Sequence, residues 1–470
     1  MPDLNCDVAI IGAGTAGLAA ERSARRAGAA TLLIDDGFAG TTCATVGCMP
    51  SKLLIAAAEA AEAVRHAPIF GIRTAQLGID GAAVLRRVRN ERDRFAAFMQ
   101  AAFRDLPPGV AVRARARFAA PTTLALDDGR QVAAKAIVIA TGARPSVPEM
   151  FAAVQAYVLT NETIFDLADL PASVAVVGAG PLGLELAQAL ARLGGETALF
   201  DKGDRLGGLH DTVMTKTYRS ILARDLPIRL GVTLQAAPQD GGVQLSWEGA
   251  ETGTAWFERV LVAAGRPPQL AGLGLDAIGV PLDEHGTPRF DRSTLQCGSL
   301  PIFIAGDANA DRPVLHEASS EGAIAGQNAA AWPEVTKGRR GVPFSLVFTD
   351  PPLAIIGASG EQADAMIGCA SYDDQGRARV MARNAGLVRL YADASAGRLV
   401  GATMAAPGAD HMAHLIAWAI ERGQTARDLL RLPFYHPTLE EGLKPALRDI
   451  CRQVHAERPA DQDEGFPPGA

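Results

Sequence analysis

Cysteine is scarce in this chain: six among 470 residues, at Cys6, Cys43, Cys48, Cys297, Cys369 and Cys451. Four stand alone in the sequence, which excludes the disulfide framework of a small secreted scaffold. An excess of basic charge is also missing. Lys and Arg number 45 against 52 Asp and Glu, a net charge of −7, whereas a general nucleic-acid binder shows a basic face. No apolar run is long enough to span a membrane without charges. The N-terminus, Met-Pro-Asp-Leu-Asn-Cys-Asp, lacks the basic and apolar regions of a signal peptide. These absences predict a cytoplasmic chain that works away from membranes and nucleic acids. Hydrophobic residues are 48% of the chain and charged ones 21%, so gross disorder is excluded and about three domains of ordinary size are affordable. Only residues 456–470, rich in Pro, Asp and Glu, read as a flexible tail.

What is present begins with a glycine pattern in a strict context. Residues 8–11 read as a buried parallel strand. They run directly into Gly12-Ala-Gly14-Thr-Ala-Gly17, a helix over 18–27 and a second strand over 31–34 ending in Asp35. That order is the dinucleotide fingerprint. Gly12 allows the tight turn, Gly14 lets the backbone approach a pyrophosphate, Gly17 lets helix and strand pack closely, and Asp35 would accept a ribose hydroxyl. The unit occurs again: a strand over 174–177, then Gly178-Ala-Gly180-Pro-Leu-Gly183, a helix over 184–193, and a strand over 197–200 ending in Asp201. Two dinucleotide sites argue for two nucleotides, a held flavin and a diffusible nicotinamide, because hydride transfer needs a donor and an acceptor. Asp201 favours NAD, since it would repel a 2′-phosphate, while Lys202 and Arg205 keep NADP open.

Between the two fingerprints lies Gly40-Thr-Thr-Cys43-Ala-Thr-Val-Gly-Cys48-Met-Pro-Ser-Lys52. Residues 53–61 read as a helix, and Pro50 suits its first turn because its missing N–H would be unpaired anyway. Cys48 then lies at a helix N-terminus, where the dipole and free N–H groups favour a thiolate. The pair reads as a redox-active dithiol or disulfide, or else as two small buried hydrophobes that happen to be close. Strand ends at Thr141-Gly142, Ala264-Gly265-Arg266 and Gly306-Asp307 mark further edges of nucleotide domains. Asp307 would reach a cofactor's hydroxyls or cap a following helix over 317–331. From Gly341 the texture changes to strands broken by prolines, with further strands over 379–392 and 398–404 and helices over 410–422 and 426–430, an α+β segment without a fingerprint.

Together with His436-Pro437-Thr438, Glu440 and Glu441, these motifs resemble the pyridine nucleotide–disulfide oxidoreductases over nearly the whole chain, and the dihydrolipoamide dehydrogenases most among them. The resemblance implies an α/β fold with two Rossmann-like domains, for FAD and NAD, and a C-terminal α+β dimerisation domain. The boundaries expected are 1–147 and 269–338 for FAD, 148–268 for NAD, 339–455 for the interface and 456–470 for the tail. It implies a homodimer whose active site is shared between subunits. Cys43 would be the sulfur that meets substrate and Cys48 the sulfur against the flavin. His436 would be the acid/base oriented by Glu441, and Lys52 would lie beneath the flavin paired with Glu185. Gly12, Gly14, Gly17, Asp35, Thr42, Lys52, Thr141, Gly142, Gly306 and Asp307 would serve FAD, and Gly178, Gly180, Gly183, Asp201 and Gly265 the nicotinamide side. No metal site is expected, and the other cysteines read as structural.

The activity implied is oxidation of protein-bound dihydrolipoamide, with a lipoylated partner supplied by another chain. A dithiol must lose a proton before it attacks a disulfide, and a histidine fixed by a carboxylate is a suitable base. The alternatives are NAD(P)H-dependent reduction of another disulfide or of a metal ion, and a redox-sensing flavoprotein without turnover. Mercuric reductases carry an extra C-terminal cysteine pair, and here Cys451 is single. Glutathione reductases usually have a lysine where Ser51 stands. Thr41, Ala44-Thr45 and Phe434-Tyr435 depart from the usual pattern and bear on the choice of substrate.

Overall fold

The computed structural model describes residues 2–75, 77–358 and 365–456; the tail expected over 456–470 lies outside them from residue 457 onward. The chain divides into two compact units, the first made of residues 1–50, 87–146 and 265–340, the second of 51–86, 147–264 and 341–470.

The first unit is built on a sheet of order Ala111–Arg113, Thr31–Asp35, Leu4–Ile11, Gln131–Ile139, Thr123–Leu126, Ala116–Ala120, with Ile302–Ile304 also pairing Gln131–Ile139. Leu4–Ile11 runs parallel to both Thr31–Asp35 and Gln131–Ile139, and Ile302–Ile304 is parallel too. Val8, Ile10, Val138 and Phe303 are wholly buried toward one face, Ile137 and Ile302 toward the other. Such two-sided burial is why these strands are continuous apolar runs rather than alternating ones. Each fully buried Val, Ile or Phe contributes about 1.5–3 kcal/mol. Because the strands are parallel, Gly12, Thr141 and Gly306 all follow strand ends on one edge of the sheet, where open α/β sheets bind ligands.

The second unit contains the other fingerprint in a parallel sheet of order Ile228–Leu230, Glu196–Asp201, Ser173–Val177, Arg259–Val262, Val158–Leu159. An antiparallel sheet of Val232–Gln239, Gly242–Gly249 and Gly253–Phe257 accompanies it. The C-terminal segment is an antiparallel sheet of order Phe344–Val347, Leu353–Gly357, Leu399–Ala405, Leu387–Ala392, Met366–Ser371. Its core joins Ile356, Leu390, Met404, Met412, Ile416, Leu447 and Ile450, from the sheet and from helices Ala409–Glu421 and Lys444–Gln453.

Two expectations need correction. The strand expected over 379–392 is only Leu387–Ala392; residues Gly376–Val380 form a short helix. Gln375 caps it by accepting from the Ala378 N–H at 2.8 Å, and Ala382 closes it with φ +52°. Asp307 does not cap the long helix. It lies in the tight turn Gly306–Asn309, and helix Leu315–Ala331 starts eight residues later with Val314 at its cap position.

Candidate active site

The cysteine stretch opens with a helical turn, Thr42–Thr45, whose cap Thr41 accepts from the Ala44 N–H through its side chain at 3.4 Å. Cys43 sits half-buried in that turn beside exposed Thr42. A Cβ at Gly47 would stand 2.9 Å from the Thr42 carbonyl oxygen, so the chain between the cysteines closes onto the turn only with glycine there. Cys48, exposed, is the first residue of helix Cys48–His66, and Pro50 lies in its first turn. Cys48 therefore stands at the positive end of the helix dipole, which favours a thiolate. The isolated cysteines contrast with it. Burial pushes the Cys297 thiol up to about 12, and burial with the nearby Asp7 carboxylate does the same to Cys6, leaving both inert at neutral pH.

His436 and Glu441 are brought together. The chain turns through a cis peptide between His436 and Pro437, and the helical turn Glu440–Leu443 carries Glu441 back toward the imidazole. Nδ1 of His436 lies 3.1 and 3.2 Å from the two Glu441 oxygens. Glu441 is only 2% exposed and also accepts from the Thr438 N–H at 3.1 Å, so its position is fixed. Gln375 donates to the Thr438 carbonyl at 2.7 Å and Tyr372 to the Leu439 carbonyl at 2.9 Å, bracing the segment. The His436 side chain is 59% exposed. Bonding at Nδ1 fixes the tautomer and leaves Nε2 for a reacting group. Gln375 and Tyr372 carried no signal in the sequence, because each acts through a carbonyl more than sixty residues away.

Lys52 and Glu185 also meet, 2.7 Å apart. Glu185, in helix Pro181–Arg192, is 4% exposed, and its other oxygen accepts from the Phe348 N–H at 2.9 Å. The ammonium stands 4.6 Å from the centre of the Phe348 ring, within cation–π range. Phe348 is a participant that sequence reading missed. Its contribution is a backbone N–H and a ring face, neither of which has a motif.

The two fingerprints fold alike. A Cβ at Gly17 would fall 1.8 Å from the Gly12 carbonyl oxygen, and one at Gly183 would fall 1.8 Å from that of Gly178. Gly12 (φ +102°) would meet Ala140 O at 2.4 Å, and Gly178 (φ +115°) would meet Ala263 O at 2.3 Å. Gly14 and Gly180 face open space, which leaves room for a diphosphate against the backbone. Asp35 binds its own loop: Oδ2 accepts from the Ala13 N–H, and Oδ1 from those of Gly37 and Phe38. Asp201 does the same with Ala179 and Gly203. A carboxylate has about four acceptor positions, so both retain capacity for a sugar hydroxyl.

The residues present in the first unit fit a bound FAD. Thr141 Oγ1 is buried and meets no hydrogen-bond partner among the described residues, and neither does Arg266 Nε. An arginine terminal nitrogen of Arg266 lies 3.9 Å from Asp307 Oδ2 and donates to the Ala143 carbonyl at 3.0 Å. Nearby, Gly142 accepts from the Gln269 N–H and Gly265 from the Ser146 N–H, closing the connection between strands. Unpaired buried polar groups beside an open glycine loop are what a polar cofactor would satisfy. No group of three or more His, Cys, Asp or Glu side chains suited to a metal ion occurs among the described residues, and no helix there is long and apolar enough to cross a membrane.

Comparison with known proteins identifies the family. The sequence profile of the pyridine nucleotide-disulphide oxidoreductases matches residues 6–323, and that of their dimerisation domain matches residues 343–447, which supports a homodimer. A dihydrolipoyl dehydrogenase of Bacillus subtilis (strain 168) is 30% identical, covering 96% of this chain and 100% of its own. A mercuric reductase of Staphylococcus aureus is 29% identical, covering 96% of this chain and 84% of its own. The Cu(II) complex of an HOCl-induced flavoprotein disulfide reductase from Escherichia coli superposes with a TM-score of 0.81 at 22% identity, over 94% of this chain and 99% of that one. The chain belongs to the pyridine nucleotide–disulphide oxidoreductases, flavoprotein enzymes that bind FAD and a pyridine nucleotide.

Proposed function

We propose that this enzyme oxidises a dithiol of the dihydrolipoamide type, delivered by a lipoylated protein, through the Cys43–Cys48 pair, with NAD⁺ as the final acceptor. On this reading residues 1–147 and 269–338 hold FAD, 148–268 hold the nicotinamide nucleotide and 339–455 make the dimer contact. His436 of the partner subunit would serve the cysteines of the first, and the cytoplasm would supply the reduced surroundings that the isolated thiols need. The observation that carries the reading is the Glu441 carboxylate with both oxygens on His436 Nδ1. A base with its tautomer fixed serves a thiol that must be deprotonated before it attacks.

The steps balance as follows. Nε2 of His436 takes a proton from one substrate thiol, and the thiolate attacks Sγ of Cys43. The Cys43–Cys48 bond breaks and Cys48 leaves as a thiolate, which its helix N-terminus stabilises. His436 gives its proton to solvent and takes that of the second substrate thiol. This thiolate attacks the substrate sulfur of the mixed disulfide, so that the cyclic disulfide leaves and both electrons remain on Cys43 and Cys48. Bound FAD would supply the route by which that electron pair reaches the nicotinamide as hydride. Glu441 stabilises the imidazolium at each proton transfer, and Lys52 is held by Glu185 on the cofactor side.

Reduction of another disulfide or of a metal ion by NAD(P)H is the second reading. The comparable likeness to mercuric reductases favours it. His436→Gln separates the two. The dithiol reading expects dihydrolipoamide oxidation to collapse while NADH-driven reduction of an artificial acceptor continues. Undiminished dihydrolipoamide oxidation by that variant would refute it.

A further inference from the structure

Helix Leu315–Ala331 carries a carboxylate that the chemistry above does not use. Glu321 is wholly buried. Its Oε2 accepts from the Gly306 N–H and from Asn309 Nδ2, both at 2.7 Å. Both donors belong to the turn Gly306–Asn309 that presents Asp307. Asn309 is tied in turn by accepting from the Asp311 N–H at 2.9 Å. On its other side, Glu321 Oε1 stands 2.6 Å from the Arg340 guanidinium, in an ion pair rather than an aligned hydrogen bond. Arg340, itself only 9% exposed, also pairs with Asp311 at 2.7 Å and Glu317 at 3.0 Å.

This arrangement is expensive. Burial raises the Glu321 carboxyl pKa against the opposing pull of the Gly306 N–H and the Arg340 charge. Packing alone would be served as well by an apolar side chain. What the carboxylate does is hold a backbone that is otherwise unfavourable. The turn is bounded by left-handed residues, Gly306 at φ +71° and Ala310 at φ +57°, and a non-glycine residue in that region needs outside support. The helix that carries Glu321 is closely packed at its base. A Cβ at Gly322 would lie 2.2 Å from Ala16 O and one at Gly326 the same distance from Ala20 O, so the helix is seated directly on Thr15–Arg26, the helix of the first fingerprint.

We propose that Glu321, held by Arg340, is a positioning residue that fixes the Gly306–Asn309 turn so that Asp307 meets the sugar-alcohol hydroxyls of FAD. The proposal rests on the reading of Asp307 as a FAD contact. Holoenzyme variants Asp307→Asn, Glu321→Gln and the double variant test it, with FAD release and rebinding followed by flavin fluorescence. Glu321→Gln is expected to weaken FAD binding about tenfold, the scale of a lost charge-assisted hydrogen bond. Because Glu321 acts through Asp307, the double variant is expected to bind FAD no worse than Asp307→Asn alone. Additive losses would mean an independent structural role and would overturn the proposal, as would a silent Glu321→Gln beside a weakened Asp307→Asn. A silent Asp307→Asn would overturn the reading of Asp307 as well. Arg340→Lys, which keeps the counter-charge, is expected to fall between wild type and Glu321→Gln. It carries the same cycle if Glu321→Gln does not fold.

Discussion

Replacing Glu441 by glutamine removes one charge at almost constant volume, and the structure says what that charge does. Both carboxylate oxygens face His436 Nδ1, at 3.1 and 3.2 Å, from a side chain that is 2% exposed. An amide keeps the Thr438 N–H bond through its oxygen and then presents its NH₂ group to Nδ1. That favours the tautomer with the proton on Nε2, the atom that has to accept one from substrate. The imidazolium also loses its counter-charge. At about 3 Å and an effective dielectric of about 20, the attraction is about 5 kcal/mol. The 59% exposure of His436 lets water screen most of it, and a charge-assisted hydrogen bond of about 1.5–3 kcal/mol remains. The dithiol half-reaction is expected to slow about 10- to 150-fold. Anaerobic stopped-flow mixing with dihydrolipoamide measures it, with NADH-driven reduction of an artificial acceptor as control. An unchanged dithiol rate, or equal losses in both assays, would refute the reasoning.

Cys48→Ser is expected to abolish dithiol turnover and leave a yellow protein; a colourless apoprotein on purification would show the cysteine to be structural instead. Gly17→Ala and Gly183→Ala put a Cβ 1.8 Å from a carbonyl oxygen in each fingerprint. The first is expected to lose FAD, and the second to keep FAD while losing NADH oxidation, as absorbance and steady-state rates report. Lys52→Met strands Glu185, which is 4% exposed, and after allowing for the partial exposure of Lys52 is expected to cost about 1–3 kcal/mol. Thermal unfolding checks this, and Lys52→Met with Glu185→Gln should recover part of the loss.

The fingerprints were legible because they are local and leave no alternative: at Gly12, Gly17, Gly178 and Gly183 a Cβ would come too close to a backbone carbonyl. The cysteine stretch was legible for a similar reason, with Pro50 and an apolar run placing Cys48 at a helix start. What escaped was held from a distance. The strand expected over 379–392 starts only at Leu387 because the segment before it opens with a helix, Gly376–Val380, that the Gln375 side chain caps, a choice that local β-propensity does not contain. Asp307 was also compatible with a helix cap, and the turn Gly306–Asn309, held by buried Glu321, removes only that role. Phe348 and Arg340 act through a backbone N–H and an ion-pair network whose partners lie elsewhere in the sequence. Residues such as these leave no periodicity to read.

The choice of substrate is the central claim, and a panel on the purified yellow protein tests it most directly. Dihydrolipoamide with NAD⁺ is compared with glutathione disulfide and with Hg²⁺, each with NADH and with NADPH. The account predicts rapid NADH formation from dihydrolipoamide, dependent on His436 and Cys48. No NADH from dihydrolipoamide, with NADPH consumed in the presence of glutathione disulfide or Hg²⁺, would contradict it.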